Sequence, residues 1–526
     1  MLFTSLRFLC FLAALTVFYY LLPRRCQPVL LLAASLYLYY TLSRKLIVFV
    51  LFSALVTWAG GLLLDRFYQR EQQAVQKAKA AGASREQRSA VRAPFQRLRR
   101  LVMLACWACN LGFLLVFKFY NHFVAWMAEY GAAFPVLRLA MPLGISFYTL
   151  QILSYTMDVY SGKLRAEKSY FRVLLFTCYF PQIMQGPINR YEPLAAQLFA
   201  AHPFDWDRFV LGASRILWGY FKKLVIADRF AILTSALYSG YETYQGFYVI
   251  VAAVLYTFQL YTDFSGGIDI ALGASEILGV TLPENFQRPL FSKSIDEFWR
   301  RWHITLGAWL RDYVFYPVTF SKPLAKLKKF FTKHRLRWAA KWIPTYLALA
   351  FLWFCSGVWH GEGLQYICNG LWHGIVIMIG TTIEAPSRQF WEKHGIRQDS
   401  RGLALFRVCR TFCILAIGEI MFGASSFSMM CGMFKGLFSV FNPWILWDGS
   451  LLALGLDGPD LAVGLLALVV LAIASLKSRT RPMREQIAEK PLWLRWTIYF
   501  AGILTVLVFG IYGANYPATP FIYFQF

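Results

Sequence analysis

This sequence is poor in charged residues. Of its 526 residues 15% are charged, against about 25% in soluble domains, while 58% are hydrophobic and 18% aromatic. With a mean hydropathy of +0.47, this composition excludes an ordinary soluble domain and predicts a membrane protein. Acidic residues are the rarer sign, since 28 Asp and Glu stand against 53 Lys and Arg, a formal net charge of +25. The basic residues lie mostly in short loops between apolar runs, a pattern that orients polytopic proteins, so nucleic-acid binding is not expected.

Several motifs of soluble enzymes and metal proteins are also missing. There is no G-x-S-x-G motif, and therefore no serine nucleophile of the hydrolase kind. The ten cysteines lie mostly inside apolar segments, and the C-x-x-C pair of Cys106 and Cys109 lacks the βαβ surroundings of a thioredoxin-like site. Buried free thiols are the better interpretation, so neither a disulfide framework nor a zinc site is expected. No internal repeat or low-complexity tract divides the chain, and residues 1–526 are interpreted as one membrane domain.

Apolar runs recur along the whole chain, and about 20 apolar residues cross a bilayer as a helix. Runs of this kind lie at 4–22, 28–43, 46–64, 101–120, 136–157, 170–186, 246–264, 343–359, 364–382, 403–423, 458–476 and 495–513. Several are short or interrupted by Gly and Pro, which is typical of re-entrant segments. The sequence predicts an all-α polytopic protein with about 10–12 membrane segments. The first run has no cleavage site after it and is interpreted as a retained helix.

Basic loops indicate an orientation. The polar segment 65–100 and the loops at 23–25 and 477–495 are rich in Lys and Arg. Placing all three in the cytoplasm puts the N-terminus and the tail 514–526 on the outer face. The basic stretch 43–45 falls on the opposite side in this arrangement. Segment 65–100 is interpreted as a basic cytoplasmic excursion, helical and solvated.

Two histidines in or beside apolar segments give the strongest indication of chemistry. His303 follows Trp302, and His360 stands between Trp359 and Gly361. An ionisable residue inside a membrane is a functional-site hypothesis by default, because its burial is costly. Imidazole also transfers protons near neutral pH. The pattern therefore predicts a membrane enzyme.

The surroundings of these histidines leave alternatives open. Read at helical spacing, residues 294–313 have one apolar face and two polar ones, which favours an interfacial or partly buried helix. A plain membrane-surface anchor fits that pattern too. His373, in a second Trp-His-Gly stretch, repeats the pattern one helix later, and for His360 and His373 a packed histidine bonded to a backbone carbonyl is the alternative. No third ligand stands at a recognisable spacing, so no metal site is expected.

Other polar residues gather in apolar surroundings. Residues 261–269 place Asp263 and Asp269 at the end of a predicted span, and Asn285 lies on the way to His303. The two carboxylates are interpreted first as structural partners of buried arginines. Two further stretches resemble helix breaks that line a cavity, at 142–147 and 181–188.

The ordered motifs resemble the membrane-bound O-acyltransferase superfamily, and are similar to its bacterial alginate O-acetyltransferase (AlgI-type) branch, with the teichoic-acid D-alanyl transfer (DltB-type) proteins as cousins. The motifs lie at 142–147, 185–188, 261–269, 282–285, 298–306 and 359–361. The resemblance implies a ring of about 10–12 membrane helices around a thin central region with a transmembrane tunnel. It also implies that His360 is the essential histidine and His303 a second active-site residue, with His373 accessory at most. The residues expected to line the tunnel or the substrate site are Trp302, Trp359, Asp263 and Asn285.

Two stretches stand apart from this pattern. A basic insertion at 322–341 could contact anionic lipid or a coenzyme diphosphate, although a surface loop is the favoured interpretation. The last residues, 520–526, resemble the aromatic-tyrosine terminus of some envelope-acylating systems, in which the tyrosine carries the acyl group. Tyr523 is the corresponding residue here. Aromatic residues at a membrane surface are the alternative.

The resemblance implies acyl transfer in the inner membrane of a bacterium. Acetyl-CoA is the expected cytoplasmic donor, with no bound cofactor; His360 is the expected base and Tyr523 the acceptor. The acetyl group is expected to reach an exported polysaccharide through an extracytoplasmic SGNH-type acyltransferase partner. Two alternatives remain, a carrier-protein-dependent D-alanyl transferase and a transporter or flippase of polymer precursors.

Overall fold

The protein is helical throughout the part of the chain that the computed structural model describes, residues 3–131, 134–137, 141–512 and 521–522. These residues contain no β-strand, only an isolated antiparallel bridge between Phe286 and Trp302. The all-α prediction is confirmed. The α-helices are α1 (Leu6–Leu21), α2 (Gln27–Ser43), α3 (Ile47–Ala80), α4 (Arg85–Ala128), α5 (Ile145–Ser161), α6 (Tyr170–Cys178), α7 (Phe180–Gln185), α8 (Tyr191–Leu198), α9 (Trp206–Tyr220), α10 (Asp228–Ser239), α11 (Phe247–Ile277), α12 (Ile295–Arg301), α13 (Ile304–Leu310), α14 (Tyr316–Thr319), α15 (Lys322–Lys333), α16 (Arg337–His360), α17 (Leu364–Lys393), α18 (Arg401–Gly423), α19 (Phe427–Ser439), α20 (Gly458–Lys477), α21 (Met483–Ala488) and α22 (Leu492–Phe509).

Seven helical segments of the described residues are long and apolar enough to cross a membrane. They are Arg24–Ala80, Arg85–Ala128, Phe247–Ile277, Arg337–His360, Leu364–Lys393, Gly458–Lys477 and Leu492–Phe509. The run at 170–186 forms two short helices instead, α6 and α7, with Pro181 in the first turn of α7. A proline there starts a helix readily but prevents the preceding helix from continuing through it.

Contacts group the chain into two compact units, the first made of Met1–Phe209 with Ala274–Leu282. Its core is α5, most of whose side chains are buried. A short turn joins the long helices α3 and α4. Ser84 is the N-cap of α4 and forms a capping box with Gln87. The predicted excursion at 65–100 is therefore helical, built from the end of α3 and the start of α4. Its cytoplasmic location stays a prediction, as does the interpretation of the chain as one domain.

A buried ion pair ties α3 to α4 within this unit. Arg99 Nη1 lies 2.6 Å from Glu71 Oε2, and both side chains are less than a tenth exposed, at 7% and 5%. The same guanidinium donates to the carbonyl oxygen of Tyr160 on α5. It also lies over the rings of Tyr68 and Tyr160, at 4.6 and 5.1 Å from their centroids. Arg99 therefore joins three helices at one point.

The second unit is made of Val210–Gly273 with Pro283–Phe526. Its described core includes most of α11, whose residues are largely buried. Two of its helices, α20 and α22, leave large apolar side chains exposed. These are Leu465, Leu466, Val469, Val470, Ile473 and Leu476 on α20, and Trp493, Trp496, Phe500, Ile503, Leu504, Leu507 and Val508 on α22. Apolar faces of this kind are expected to contact lipid.

Small residues allow α11 to approach the helical stretch that runs through α9, a π-helical turn at Phe221–Ala227 and α10. A Cβ added at Gly219 would lie 2.7 Å from the Gly266 carbonyl oxygen, and one at Gly273 would lie 2.5 Å from the Gly212 carbonyl oxygen. Only glycine fits at such distances, which is typical of close helix packing in membranes. The close approach sets basic side chains of the first stretch against carboxylates of α11.

The ion pair of Arg99 generates a prediction on stability. Replacing Glu71 with Ala leaves a buried guanidinium without its carboxylate, which destabilises a protein by about 3–5 kcal/mol. We expect Glu71→Ala to lower the thermal unfolding temperature of the detergent-solubilised protein clearly. The control is Asp65→Ala, because Asp65 pairs at 3.3 Å with Arg165, whose side chain is 71% exposed. That pair should contribute at most about 1 kcal/mol, and equal losses in the two variants would contradict the prediction.

Candidate active site

His303 lies at a break between two short helices, outside the seven segments that are long enough to span. Helix α12 ends at Arg301, α13 begins at Ile304, and His303 adopts a left-handed backbone with a φ of +45°. The continuous helix predicted over 294–313 is therefore wrong. The backbone groups on either side of His303 form hydrogen bonds with the segment around Asn285 instead. Gln287 N donates to Arg301 O at 2.9 Å, and Ile304 N donates to Asn285 O at 3.1 Å.

The Asn285 side chain orients His303. Its Oδ1 accepts hydrogen bonds from the Thr305 N–H at 3.0 Å and the Thr305 hydroxyl at 2.9 Å. Its Nδ2 lies 3.3 Å from His303 Nδ1, while Oδ1 lies 3.4 Å from the same atom. Because Oδ1 already holds two donors, we assign the amide N–H as the donor to Nδ1, which places the ring proton on Nε2.

Burial keeps this histidine neutral. The His303 residue is 1% exposed, and burial lowers the pKa of its imidazole to about 3. Desolvation disfavours the charged form of a histidine, which is the direction seen here. A ring that is neutral at pH 7 and protonated on Nε2 acts as a hydrogen-bond donor there, and is a weak base.

Trp359 connects the two histidines. Its ring centroid lies 6.0 Å from that of His303 and 4.9 Å from that of His360. Phe422 packs edge-on against His360 at 5.1 Å, and Phe264 packs edge-on against His303 at 4.9 Å. Both imidazoles therefore lie among aromatic rings beside one tryptophan, and their catalytic roles stay a prediction.

The position of His360 follows from the end of α16. It is the last residue of that helix and is 8% exposed. A Cβ at Gly357, one turn earlier, would lie 2.6 Å from the Tyr366 carbonyl oxygen, so glycine is needed for α16 and α17 to approach. The His360 ring therefore lies where α16 ends, next to the turn that leads into α17.

His373 belongs to a different cluster. Its ring lies 4.9 Å from Trp299 and 5.8 Å from Trp353, and the residue is 4% exposed. Those two indoles also pack on each other at 4.7 Å. His373 is thus a histidine of α17 packed among tryptophans, and its Nδ1 makes no hydrogen bond within the described residues.

Asp263 and Asp269 are ion-paired within the second unit. Asp269 Oδ1 lies 2.9 Å from Arg215 Nε, and its Oδ2 lies 2.6 Å from Lys222 Nζ. Asp263 Oδ1 lies 2.6 Å from Lys223 Nζ, so its partner is a lysine and the expected arginine is wrong for this carboxylate. Sequence reasoning missed both lysines. Two consecutive lysines inside the apolar stretch 216–227 were the available signal.

The motifs of the first unit form helix breaks, as predicted. Helix α5 begins after Gly144, which has a φ of +65°, and α7 ends at Gln185. Buried polar side chains collect at the second break, where Asn189 Nδ2 donates to Gln182 Oε1 at 2.8 Å. The fully buried Gln185 amide makes no hydrogen bond within the described part of the chain.

An apolar cavity of about 240 Å³ lies close to Trp302. One of its walls is Tyr261, whose ring centroid is 6.0 Å from that of Trp302. Arg288 is the charged residue in its lining, and Arg301 and Arg479 are close enough to lower the pKa of Arg288, although burial is the larger cause. The lining residues are Phe258, Tyr261, Arg288, Leu290, Phe291, Phe412, Leu468, Leu471, Ala472 and Ser475.

Of the predicted site residues, Tyr523 lies outside the described residues. The preceding two, Phe521 and Ile522, are buried at 1% and 6% exposure. Ile522 N donates to Asp263 Oδ2 at 3.0 Å.

Several known proteins are similar to this chain in sequence. The model of the membrane-bound O-acyltransferase family (MBOAT) matches residues 161–333. The chain is 30% identical over 541 positions to a Pseudomonas putida protein named as a probable alginate O-acetylase, with all of both chains covered. It is 28% identical to a Helicobacter pylori peptidoglycan O-acetyltransferase over 56% of this chain and 57% of the relative. It is 29% identical to a Bacillus subtilis teichoic acid D-alanyltransferase over 54% of this chain and 69% of the relative. A full-length match at this identity shows that the chain belongs to the membrane-bound O-acyltransferase family and is a multi-pass membrane O-acyltransferase.

Proposed function

We propose that this enzyme moves an acetyl group from cytoplasmic acetyl-CoA across a bacterial inner membrane, for the O-acetylation of an exported cell-envelope polysaccharide. The observation that carries the proposal is the arrangement of His303 and His360 on either side of Trp359. Two relatives named for O-acetyl transfer, to alginate and to peptidoglycan, support the acetyl group and the polymer.

Tyr523 is the proposed first acceptor. His360 removes the phenol proton, and the phenol oxygen attacks the thioester carbonyl. The C–S bond then breaks, the C–O bond of an acetyl-tyrosine forms, and the leaving thiolate takes the proton from His360. A phenol with a pKa of about 10 needs such a base at neutral pH. An extracytoplasmic SGNH-type partner would take the acetyl group onward to the polysaccharide.

His303 is proposed to stabilise the oxygen of the tetrahedral intermediate. A neutral imidazole with its proton on Nε2 can donate to an oxyanion, and burial makes that hydrogen bond strong. The same burial makes His303 a poor base, so the two histidines take different roles. Trp302 and Trp359 exclude water around the thioester.

The cavity beside Trp302 supports a coenzyme A donor. Arg288 is the charged residue of the cavity lining, with Arg301, Arg479 and Glu297 as its charged neighbours, and a guanidinium is suited to bind a phosphate group. The wall formed by Tyr261 contacts Trp302, which precedes His303 in the chain. We place the phosphates of the donor at Arg288 on this basis.

The alternatives receive less support. A D-alanyl transferase shares the family, but the relative of that name aligns with 54% of this chain, whereas the alginate relative aligns with all of it. A transporter or flippase of polymer precursors would need no paired histidines, and the family to which the chain belongs consists of acyltransferases.

The acetyl-tyrosine step predicts a change in mass. Purified protein incubated with acetyl-CoA should gain one acetyl group by intact-mass spectrometry, and Tyr523→Phe should gain none. His360→Ala should slow the gain by about 10²–10⁴-fold, the usual contribution of a general base. His373→Ala is the matched histidine control and should still be acetylated. Free coenzyme A without any mass gain would contradict the tyrosine step and leave a direct transferase.

The role of Asn285 predicts a selective loss of kcat. Asn285→Asp keeps the acceptor for Thr305 but draws the His303 proton to Nδ1, so that Nε2 no longer donates. Loss of one oxyanion donor lowers kcat by about 10²–10³-fold, and the KM for acetyl-CoA should stay near its original value. Asn442→Asp is the control, because Asn442 Oδ1 also accepts a backbone N–H, from Phe247 at 2.8 Å. Full kcat in Asn285→Asp would refute this role of His303.

The proposed donor site predicts that a change at Arg288 alters the KM for acetyl-CoA. Arg288→Gln should raise the KM for acetyl-CoA about 10- to 100-fold, since a hydrogen bond to a charged group is lost. With acetyl-pantetheine, which lacks the phosphates, the variant and the original enzyme should have the same KM. Arg388→Gln, on an exposed ion pair of α17, is the control. An equal rise in KM with both donors would rule out a phosphate contact.

A further inference from the structure

A buried group of three charges lies in the second unit beside the histidine site. Lys223 Nζ is 2.6 Å from Asp263 Oδ1 and 2.8 Å from Asp228 Oδ1. All three side chains are nearly inaccessible, with exposures of 1%, 3% and 6%. Buried ion pairs add little net stability, because desolvation offsets their attraction. The presence of these three buried charges is therefore better explained by the residues that they bind than by a gain in stability.

The end of the chain docks on this group. The two carboxylate oxygens of Asp263 have different partners. Oδ1 accepts a hydrogen bond from Lys223 Nζ, and Oδ2 accepts one from the Ile522 N–H at 3.0 Å. The Lys223 ammonium also lies 4.7 Å from the ring centroid of Phe521, within range of a cation–π contact. One backbone bond and one ring contact thus fix both residues on the same ion pair.

Residues 509–511, at the end of α22, are bonded to the helical stretch that carries Lys223. In the π-helical turn Phe221–Ala227 the usual bonding pattern is shifted, and the Leu224 carbonyl accepts a hydrogen bond from Ile511 N at 2.9 Å. One turn on, the Arg229 guanidinium donates to Phe509 O at 2.9 Å. The chain is therefore held on this stretch at residues 509–511 and again at 521–522.

The docking point is linked through the chain to the histidine site. Asp263 is followed on α11 by Phe264, whose ring packs on His303 with centroids 4.9 Å apart. Ile522 is followed in the sequence by Tyr523. The carboxylate that binds the tail and the ring that supports His303 thus belong to consecutive residues of one helix.

We propose that Lys223 and Asp263 form a tail socket, which holds residues 521–522 so that Tyr523 is presented for acetylation. Both are positioning residues, since they act through the tail. The proposal rests on the proposed function, in which Tyr523 is the acceptor. Lys223 orients Asp263, and Asp263 holds the backbone of Ile522.

The test uses the full chain and a substitution in the tail, because changing the buried charges could prevent folding. Ile522→Pro removes the N–H that Asp263 accepts and leaves the ion pair intact. We expect single-turnover acetylation of Tyr523, followed by intact mass, to slow about 10- to 100-fold, the effect of losing a hydrogen bond to a charged group. The KM for acetyl-CoA should not change.

Two further measurements separate presentation of the tail from a general structural effect. Ile522→Val keeps the N–H and should recover the rate. Acetyl transfer to hydroxylamine, corrected for the uncatalysed reaction, should continue in Ile522→Pro because this small acceptor needs no socket. Lys223→Met, if it folds, should slow acetylation of Tyr523 in the same way.

The outcomes distinguish the socket from the function on which it rests. Acetylation of Ile522→Pro at the original rate would overturn the socket. Loss of hydroxylamine transfer along with acetylation would also overturn it, because the tail would then be supporting the site itself. An acetyl gain that persists in Tyr523→Phe would refute Tyr523 as acceptor and, with it, the purpose of the socket.

Discussion

The need to pair polar groups that are buried among apolar helices is the constraint on which this structure depends. Such groups find no water, so they must bond to one another. The Asn285 side chain does this for its neighbours, accepting two hydrogen bonds from Thr305 and contacting His303 Nδ1. Its own carbonyl accepts from the Ile304 N–H. These bonds hold open the break between two helices and fix the orientation of the imidazole that the break presents.

The same constraint separates the two histidines chemically. His303 is enclosed and held by an amide, which keeps it neutral and leaves it suited to donate a hydrogen bond. His360 is the last residue of α16 and packs against Trp359 and Phe422. Two copies of one residue type thus stand in different surroundings, and the separate roles proposed for them rest on that difference.

The sequence predicted the parts of this molecule that depend on local pattern. Many of the long apolar runs became long helices, since little else satisfies the backbone in a membrane, and the Trp-His motifs indicated two histidines that both lie near Trp359. The break at His303 could not be predicted, because it depends on pairing with Asn285, eighteen residues upstream. The pairing of Lys223 with Asp263 was missed for the same reason, since it arises only when two glycine-lined helices approach.

Carrying the acceptor on the enzyme's own chain would answer a specific chemical difficulty. Only about one phenol in a thousand is ionised at neutral pH when its pKa is near 10, so a free tyrosine would react slowly even beside a base. Holding the reacting groups together converts an encounter into an internal step, with effective concentrations of up to about 10⁵–10⁸ M. This advantage depends on precise placement, and flexible attachment alone does not give it. Under the acetyl-tyrosine proposal, the bond of Ile522 to a carboxylate on the helix that supports His303 would meet that requirement, because one rigid element would then position both the acceptor and the oxyanion donor.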